Sequence, residues 1–263
     1  MQKPKLAARR LYEAHQRRET FAPLPAELAP RTAEEAYAIQ DSYVALRAEE
    51  LGAIAGYKIA LSSKEMQRFV GVNEPQAGVM LESTLHRSPT RVRACDYVHL
   101  IVEFELAAQM AADLPVADAP YTRATVAPFV QAVMPAIELA DDRNADYAQL
   151  ARHPFELIAD NAWNEGAVLG APIRHWQQLD LGAARGVATI NGKVVGEGLG
   201  AAAMGHPLDS LVWVANHLAA HGRGLVYRDV VITGSIITTK VAQAGDLVKF
   251  AVGGLGEVEL RVD

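Results

Sequence analysis

Val102-Glu103-Phe104-Glu105-Leu106 sets two carboxylates two residues apart inside an apolar run. In a strand, alternate side chains share a face, so Val102, Phe104 and Leu106 are expected in the core. Glu103 and Glu105 then project together from the other side. Two carboxylates held that close repel, and each raises the other's cost of ionisation unless a cation sits between them. A hard divalent ion bound by oxygen, Mg²⁺ or Mn²⁺, is the natural counterpart. A solvated strand face with two surface glutamates fits the same pattern. Glu138 adds a third acid within Met134-Pro135-Ala136-Ile137-Glu138-Leu139-Ala140, an apolar run where an unpaired buried carboxylate would be costly. It either pairs with Arg143 at the core's edge or completes a three-carboxylate site with Glu103 and Glu105. Such a site leaves positions open for water and a bidentate substrate.

Lys58 stands among Gly, Tyr, Ile, Ala and Leu, where it either snorkels outward or lines a pocket. Ser62 and Ser63 open the next turn, and their hydroxyls and neighbouring N–H groups suit an anion such as a carboxylate; an ordinary helix cap reads equally well. Asp160-Asn161 reads first as turn chemistry, with Asn161 a second choice as donor to a substrate oxygen. His217 and His221 have the i, i+4 spacing of a helical zinc pair, but no glutamate follows the first, so they read as a helix's polar face. Gly198 and Gly200, in Gly-Glu-Gly-Leu-Gly-Ala-Ala, lack the dinucleotide fingerprint and its strand–turn–helix setting. Cys95 is the one cysteine, followed by Asp96 rather than a base; it excludes an internal disulfide and fits a reducing cytoplasm.

The elements that must carry these groups change character near residue 54. Before it the chain reads as helical: Leu6, Leu11 and Tyr12 mark one amphipathic helix, and Pro23 to Pro30 joins it to a second. There Thr32 and Glu35 form a capping box and Gly52 is the stop. After it come a strand around Lys58 and a helix over Ser62–Gly71, with Ser62 and Glu65 as its capping box. Strands follow at His99–Ala111, Met134–Ala140 and Gly166–Pro172, then a hairpin through Asn191-Gly192, where a type I′ turn fits. A helix over His206–Gly222 precedes strands at Val230–Ser235, Asp246–Val252 and Gly256–Asp263. Strands rarely alternate with helices here, which disfavours a doubly wound sheet. The pattern predicts an α+β fold: a helical N-terminal region, 1–53, laid against a catalytic domain, 54–263, built on a curved mixed sheet.

Half of the 263 residues are hydrophobic and 21% charged, enough to build a sizeable core. A net charge of −6 disfavours nucleic acid and anionic lipid as partners. No apolar run reaches the roughly 18 residues of a membrane span, and the basic N-terminus lacks a secretory core.

Taken in order, GYKIALSSKEMQRFVGVNEPQAGVML, VEFELA, AIELADDR, IADNAWNEGAVLG and ITGS…AGDLVKF…GLGEVEL resemble the 2-hydroxypentadienoate hydratases and the related 4-oxalocrotonate decarboxylases. The resemblance runs from about Ala36 to the C-terminus. It implies a fumarylacetoacetate-hydrolase-like fold, assembly into homo-oligomers, a divalent metal on Glu103, Glu105 and Glu138, and Lys58 as an active-site lysine. It also implies a small 2-oxo or 2-hydroxydienoic acid as substrate, met during breakdown of aromatic compounds. The chain departs from many hydratases at Asn73 and Gln76, where aspartates are usual, so Glu74 or Glu82 is expected to serve proton transfer. Hydration is the favoured reaction. Decarboxylation is the alternative; it needs a cation for a second carboxylate, for which Arg68 and Arg143 are the candidates, and an arginine there would favour a dicarboxylate substrate for either reaction. Acylpyruvate hydrolysis would need a base beside water, and an inactive ligand-binding relative would not need the metal. Lys58 is expected to have its pKa lowered by burial and the cation, and Lys58→Met to lower turnover with little change in Tm.

Overall fold

The computed structural model describes residues 2–263. Helix α1 (Gln2–Gln16) packs through Ala7, Ala8, Leu11 and Ala14, while Leu6 is half exposed. Its buried stripe is therefore one of small residues, which lets the helix lie close against α2 (Ala33–Leu51). The Thr32 hydroxyl accepts from the Glu35 N–H at 3.1 Å, but the Glu35 carboxylate turns to Lys3 and the Arg31 N–H, so half of the expected capping box forms. Gly52 ends α2 at φ +87°. Both helices share an apolar cluster with Ala77, Ile158 and Ala159 of the remaining chain.

The chain then runs through β1 (Ile54–Ala60), α3 (Lys64–Val70), β2 (Gln76–Leu81), β3 (Leu85–Arg87), β4 (Thr90–Val92) and β5 (Leu100–Met110). After α4 (Arg123–Val126) come β6 (Val130–Asp141), α5 (Glu156–Ala159), β7 (Asn164–Leu169), β8 (Arg185–Ile190), β9 (Lys193–Leu199) and α6 (Pro207–Ala220). The chain closes with β10 (Val230–Ile232), β11 (Lys240–Val241), β12 (Leu247–Val252) and β13 (Gly256–Val262). The fold is α+β, with the strands divided between two mixed sheets. One has the order β2-β1-β10-β5-β6-β7-β3, with β11 also on β5; the other runs β4-β13-β12-β8-β9. The hairpin β8–β9 turns on Asn191 (φ +52°) and Gly192 (φ +77°), the backbone a type I′ turn requires.

Alternation along β5 and β6 splits their side chains between two dry regions. Val102, Phe104, Leu106, Ile137 and Leu139 join the principal core with Phe250, Val258 and Leu260 of the second sheet and Leu211 of α6. Each fully buried large side chain there contributes about 1.5–3 kcal/mol. The opposite face carries the glutamates, and beyond them Ala107, Met134, Ala136 and Ile232 form a separate apolar cluster. The face that bears the acids is thus closed off by protein, which excludes the solvated-strand reading.

Two local expectations shift. The Ser63 hydroxyl, not that of Ser62, caps α3, accepting from the Met66 N–H at 3.2 Å. Strand β10 stops at Ile232 instead of running to Ser235, and the departing segment 233–239 becomes part of the site.

Candidate active site

Glu103 on β5 and Glu138 on β6 are direct cross-strand partners, and Glu105 lies one pleat further along the same face of β5. A carboxylate oxygen from each lies within 4.8 Å of the others. Glu105 and Glu138 have no exposed surface, and Glu103 is half-buried. Each acid has one fixed oxygen. Glu105 Oε2 accepts from the Gly234 N–H at 2.7 Å, Glu138 Oε1 from Asn164 Nδ2 at 2.8 Å, and Glu103 Oε1 from the Thr239 hydroxyl at 3.0 Å. Glu105 Oε1 and Glu138 Oε2 are buried with no hydrogen-bond partner among the described residues. Such orphaned acceptors are rare and costly. Burial and the neighbouring carboxylates push the Glu105 carboxyl well above the usual range, and burial raises Glu138 to about 7 against the pull of Lys58. A divalent cation supported by three oxygen donors would remove both the orphans and the repulsion, so the residues present fit one.

Lys58 reaches this cluster because β10 is short. Its strand neighbour on that side is Ile232, the last residue of β10, and past that point its side chain extends toward β5 and β6. Lys58 Nζ stands 3.0 Å from Glu138 Oε1 and 3.4 Å from the Ala162 carbonyl, with only 3% of the residue exposed. Gly78 beside it has no room for a side chain: a Cβ would lie 2.8 Å from Lys58 Cγ and 2.9 Å from the Asn161 carbonyl oxygen. Burial disfavours the ammonium, but Glu138, Glu103 and Glu105 outweigh it and raise the Lys58 pKa. The expected lowering is therefore reversed in the protein alone, because three acids face one base.

The Ala162 carbonyl belongs to an unusual turn. Asn161, Ala162 and Trp163 all have φ between +51° and +57°, a left-handed run that costs non-glycine residues of order 1–3 kcal/mol each. The Asn161 amide holds it, accepting from the Val79 N–H at 2.7 Å and donating to the Val79 carbonyl at 2.9 Å. Asn161 therefore spends both ends of its amide on β2, not on a ligand, as the turn reading expected. Asp160 is gripped by Arg143 and by His15 of α1 at 2.7 Å. Arg143 accordingly neither pairs with Glu138 nor reaches the cavity.

A cavity of about 510 Å³ opens beside the acids, lined by Lys58, Ser62, Ser63 and Glu103, with Ile237 and Thr239 opposite. Ser62 fits because Gly234 (φ +94°) has no Cβ, which would come within 2.7 Å of its hydroxyl. Glu74 is exposed in the turn before β2 and outside the cavity lining, and Asn73 is exposed beside it. Glu82 accepts from the Ala53 N–H, Gln76 donates to the Pro154 carbonyl, and Arg68 is exposed on α3. None of the five lines the cavity. His217 packs against Trp213 and Tyr37, and burial lowers its pKa to about 4; it has no part in a metal site. Gly234, Thr239, Asn164, Trp163 and Tyr147 went unassigned in the sequence. Tyr147 lines the cavity and donates to Asp142 at 2.8 Å. Three of the five carried a signal, since Gly234 lies in the ITGS motif and Trp163 and Asn164 lie in IADNAWNEG.

The family model for the fumarylacetoacetate (FAA) hydrolase C-terminal region matches residues 44–263, beginning inside α2. The chain is 31% identical to the 2-oxo-hept-4-ene-1,7-dioate hydratase of Escherichia coli over 97% of its own length and 96% of the relative's. It is equally identical to the 2-hydroxyhexa-2,4-dienoate hydratase of Comamonas testosteroni, over 96% and 94%. Among solved structures, the 4-oxalocrotonate decarboxylase of Pseudomonas putida G7, complexed with magnesium and adipate, superposes with a TM-score of 0.89. It is 25% identical and covers 99% of this chain and 97% of that one. With the match spanning both sheets and the acid cluster, the chain belongs to the fumarylacetoacetate hydrolase family.

Proposed function

We propose that the protein is a metal-dependent hydro-lyase that adds water to a 2-hydroxy-2,4-dienoate, giving a 4-hydroxy-2-oxo acid, in the catabolism of aromatic compounds. One observation carries the reading: three carboxylates with two unpartnered buried oxygens cluster at Lys58, beside a cavity that Lys58 and Glu103 line. Two relatives at 31% identity over nearly the whole chain are named as hydratases of this chemical type.

Glu103, Glu105 and Glu138 would hold Mg²⁺ or Mn²⁺. The bound ion supplies a Lewis acid for the carboxylate and 2-oxygen of the substrate. Lys58 Nζ is placed to neutralise the substrate carboxylate or to carry a proton at the reacting end. Ser62 offers a hydroxyl from the cavity wall, while Ser63 is committed to capping α3. The chemistry requires a proton delivered to C5 as the dienol becomes the 2-oxo-3-alkene. Water oxygen then adds at C4 and a proton at C3. No histidine lines the cavity among the described residues, which favours hydration over hydrolysis by a histidine-activated water. The setting proposed is cytoplasmic, in keeping with a lone exposed thiol at Cys95, with the chains assembled as homo-oligomers.

The test is incubation with 2-hydroxypenta-2,4-dienoate and Mg²⁺ or Mn²⁺, following loss of dienol absorbance and identifying the product by mass. Formation of 4-hydroxy-2-oxopentanoate that stops on chelation is expected. No consumption with either ion, or rapid CO₂ release from a 2-oxo-hexenedioate with no hydrated product, would overturn the reading.

A further inference from the structure

The relatives leave one question open, because the two hydratases match this chain equally well yet one is named for a dicarboxylate and the other for a monocarboxylate. The charges around the cavity answer it. Exposure gives the cavity a depth: Lys58 is buried at the floor, with Glu138 behind it, whereas Glu65, Met66 and Tyr147 are exposed at the rim. A 2-oxo acid bound by its carboxylate at the floor must send its tail toward that rim. One wall along the way is apolar, made by Val70 of α3 with Leu150, Ala162 and Trp163. Apart from Lys58, Glu65 and Glu103, the polar groups elsewhere in the lining are uncharged, Ser62, Ser63, Ser235, Thr238 and Thr239 among them.

Only one cation lines the cavity among the described residues, and it is Lys58, already 3.0 Å from Glu138 at the floor. The rim carries a charge of the opposite kind, Glu65 in the first turn of α3. The basic side chains nearest in sequence are engaged elsewhere. Lys64 Nζ donates to Gln67 Oε1 at 2.8 Å, and Arg68 Nε donates to the Lys64 carbonyl at 3.1 Å. Arg143 is buried against Asp160. A second carboxylate on the tail would lose water against an apolar wall, find no counter-ion and meet a like charge.

We infer that the site selects substrates with a single carboxylate and an apolar tail, and that Glu65 is the specificity-determining residue that turns a second carboxylate away. This is discrimination by an unfavourable contact built against the wrong ligand, not only by a favourable one for the right ligand. For turnover it rests on the hydratase reading; for binding it does not.

The experiment therefore separates the two. Calorimetry on the Mn²⁺-loaded protein compares 2-oxohexanoate with 2-oxohexanedioate, which differ only in the second carboxylate. The monocarboxylate is expected to bind at least tenfold tighter. The ratio should fall severalfold in Glu65→Gln and further in Glu65→Lys, with thermal melts checking that both variants are folded. Equal or tighter binding of the dioate by the wild type, an unchanged ratio in both variants, or failure of the monocarboxylate to bind would overturn the inference. In parallel, turnover of 2-hydroxypenta-2,4-dienoate is compared with that of 2-hydroxyhexa-2,4-dienedioate. A binding preference without turnover of either dienoate would sink the hydratase reading and leave the selectivity standing; faster turnover of the dienedioate would sink the selectivity.

Discussion

Lys58→Met removes the only cation in contact with a group of three acids, two of them fully buried, while keeping most of the side chain's apolar volume. The wild-type contact is a 3.0 Å ion pair with almost no solvent access. Removing one partner of a buried pair typically costs about 3–5 kcal/mol, because the remaining charge is left uncompensated. For a chain of this size about 1 kcal/mol moves Tm by roughly 2–4 °C, so metal-free Lys58→Met should melt about 6–20 °C below the wild type. The burial of this pair predicts the opposite of the sequence-based expectation that Tm would change little. The loss also depends on pH. Without Lys58 the carboxyls, already raised in Glu105 and Glu138, rise further. A raised carboxyl is harmless below its unfolded pKa near 4.5 and penalises folding as pH climbs above it. The gap should therefore be small near pH 5 and widest near pH 8. Saturating Mn²⁺ should narrow it, since the ion replaces the missing positive charge. Scanning calorimetry at both pH values, in chelator and in Mn²⁺, reads all of this. Coincident melts in chelator at pH 8, or a gap that Mn²⁺ leaves untouched, would refute the electrostatic account of this site.

Glu105→Gln copies the protonated acid that burial already favours, so its metal-free Tm should stay within a few degrees of wild type while Mn²⁺ affinity, by titration calorimetry, falls more than about tenfold; unchanged affinity would remove Glu105 from the ligand set. His15, facing Asp160, Glu165, Arg47, Arg143 and Tyr43, has its pKa raised to about 9: burial opposes the charge, but Asp160 and Glu165 outweigh it. A raised histidine stabilises fully below its unfolded pKa of about 6.5 and loses that contribution as pH rises through 9. Wild-type Tm should thus decline between pH 6.5 and 9, and His15→Gln should flatten the decline; parallel curves would disprove it.

The acid pair was legible because β-strand geometry is local: in Val102-Glu103-Phe104-Glu105-Leu106 the alternation alone assigns both glutamates to one face. The same logic reached Lys58, a charge inside a short apolar strand, and the hairpin at Asn191-Gly192, where φ is a property of two residues. Groups whose role depends on distant chain were not legible in this way. Glu74 lies close in sequence to α3 yet outside the cavity lining, and the partner of Asn161, read first as a turn residue, is Val79, 82 residues earlier, which takes both ends of its amide.

Residue types and their spacing determined that this chain carries a set of acids able to hold a hard cation, and on which face of which strands. Tertiary structure alone decided that Glu105 and Glu138 on that face are shut off from water, with the segment 233–239, Asn164 and the turn at 161–163 hydrogen-bonded to the acids and to Lys58. It also decided the charge of the cavity rim, where Glu65 is among the lining residues and Arg68 is not. Electrostatic energy depends on separation in space and on the medium between charges, and neither quantity is written along the chain.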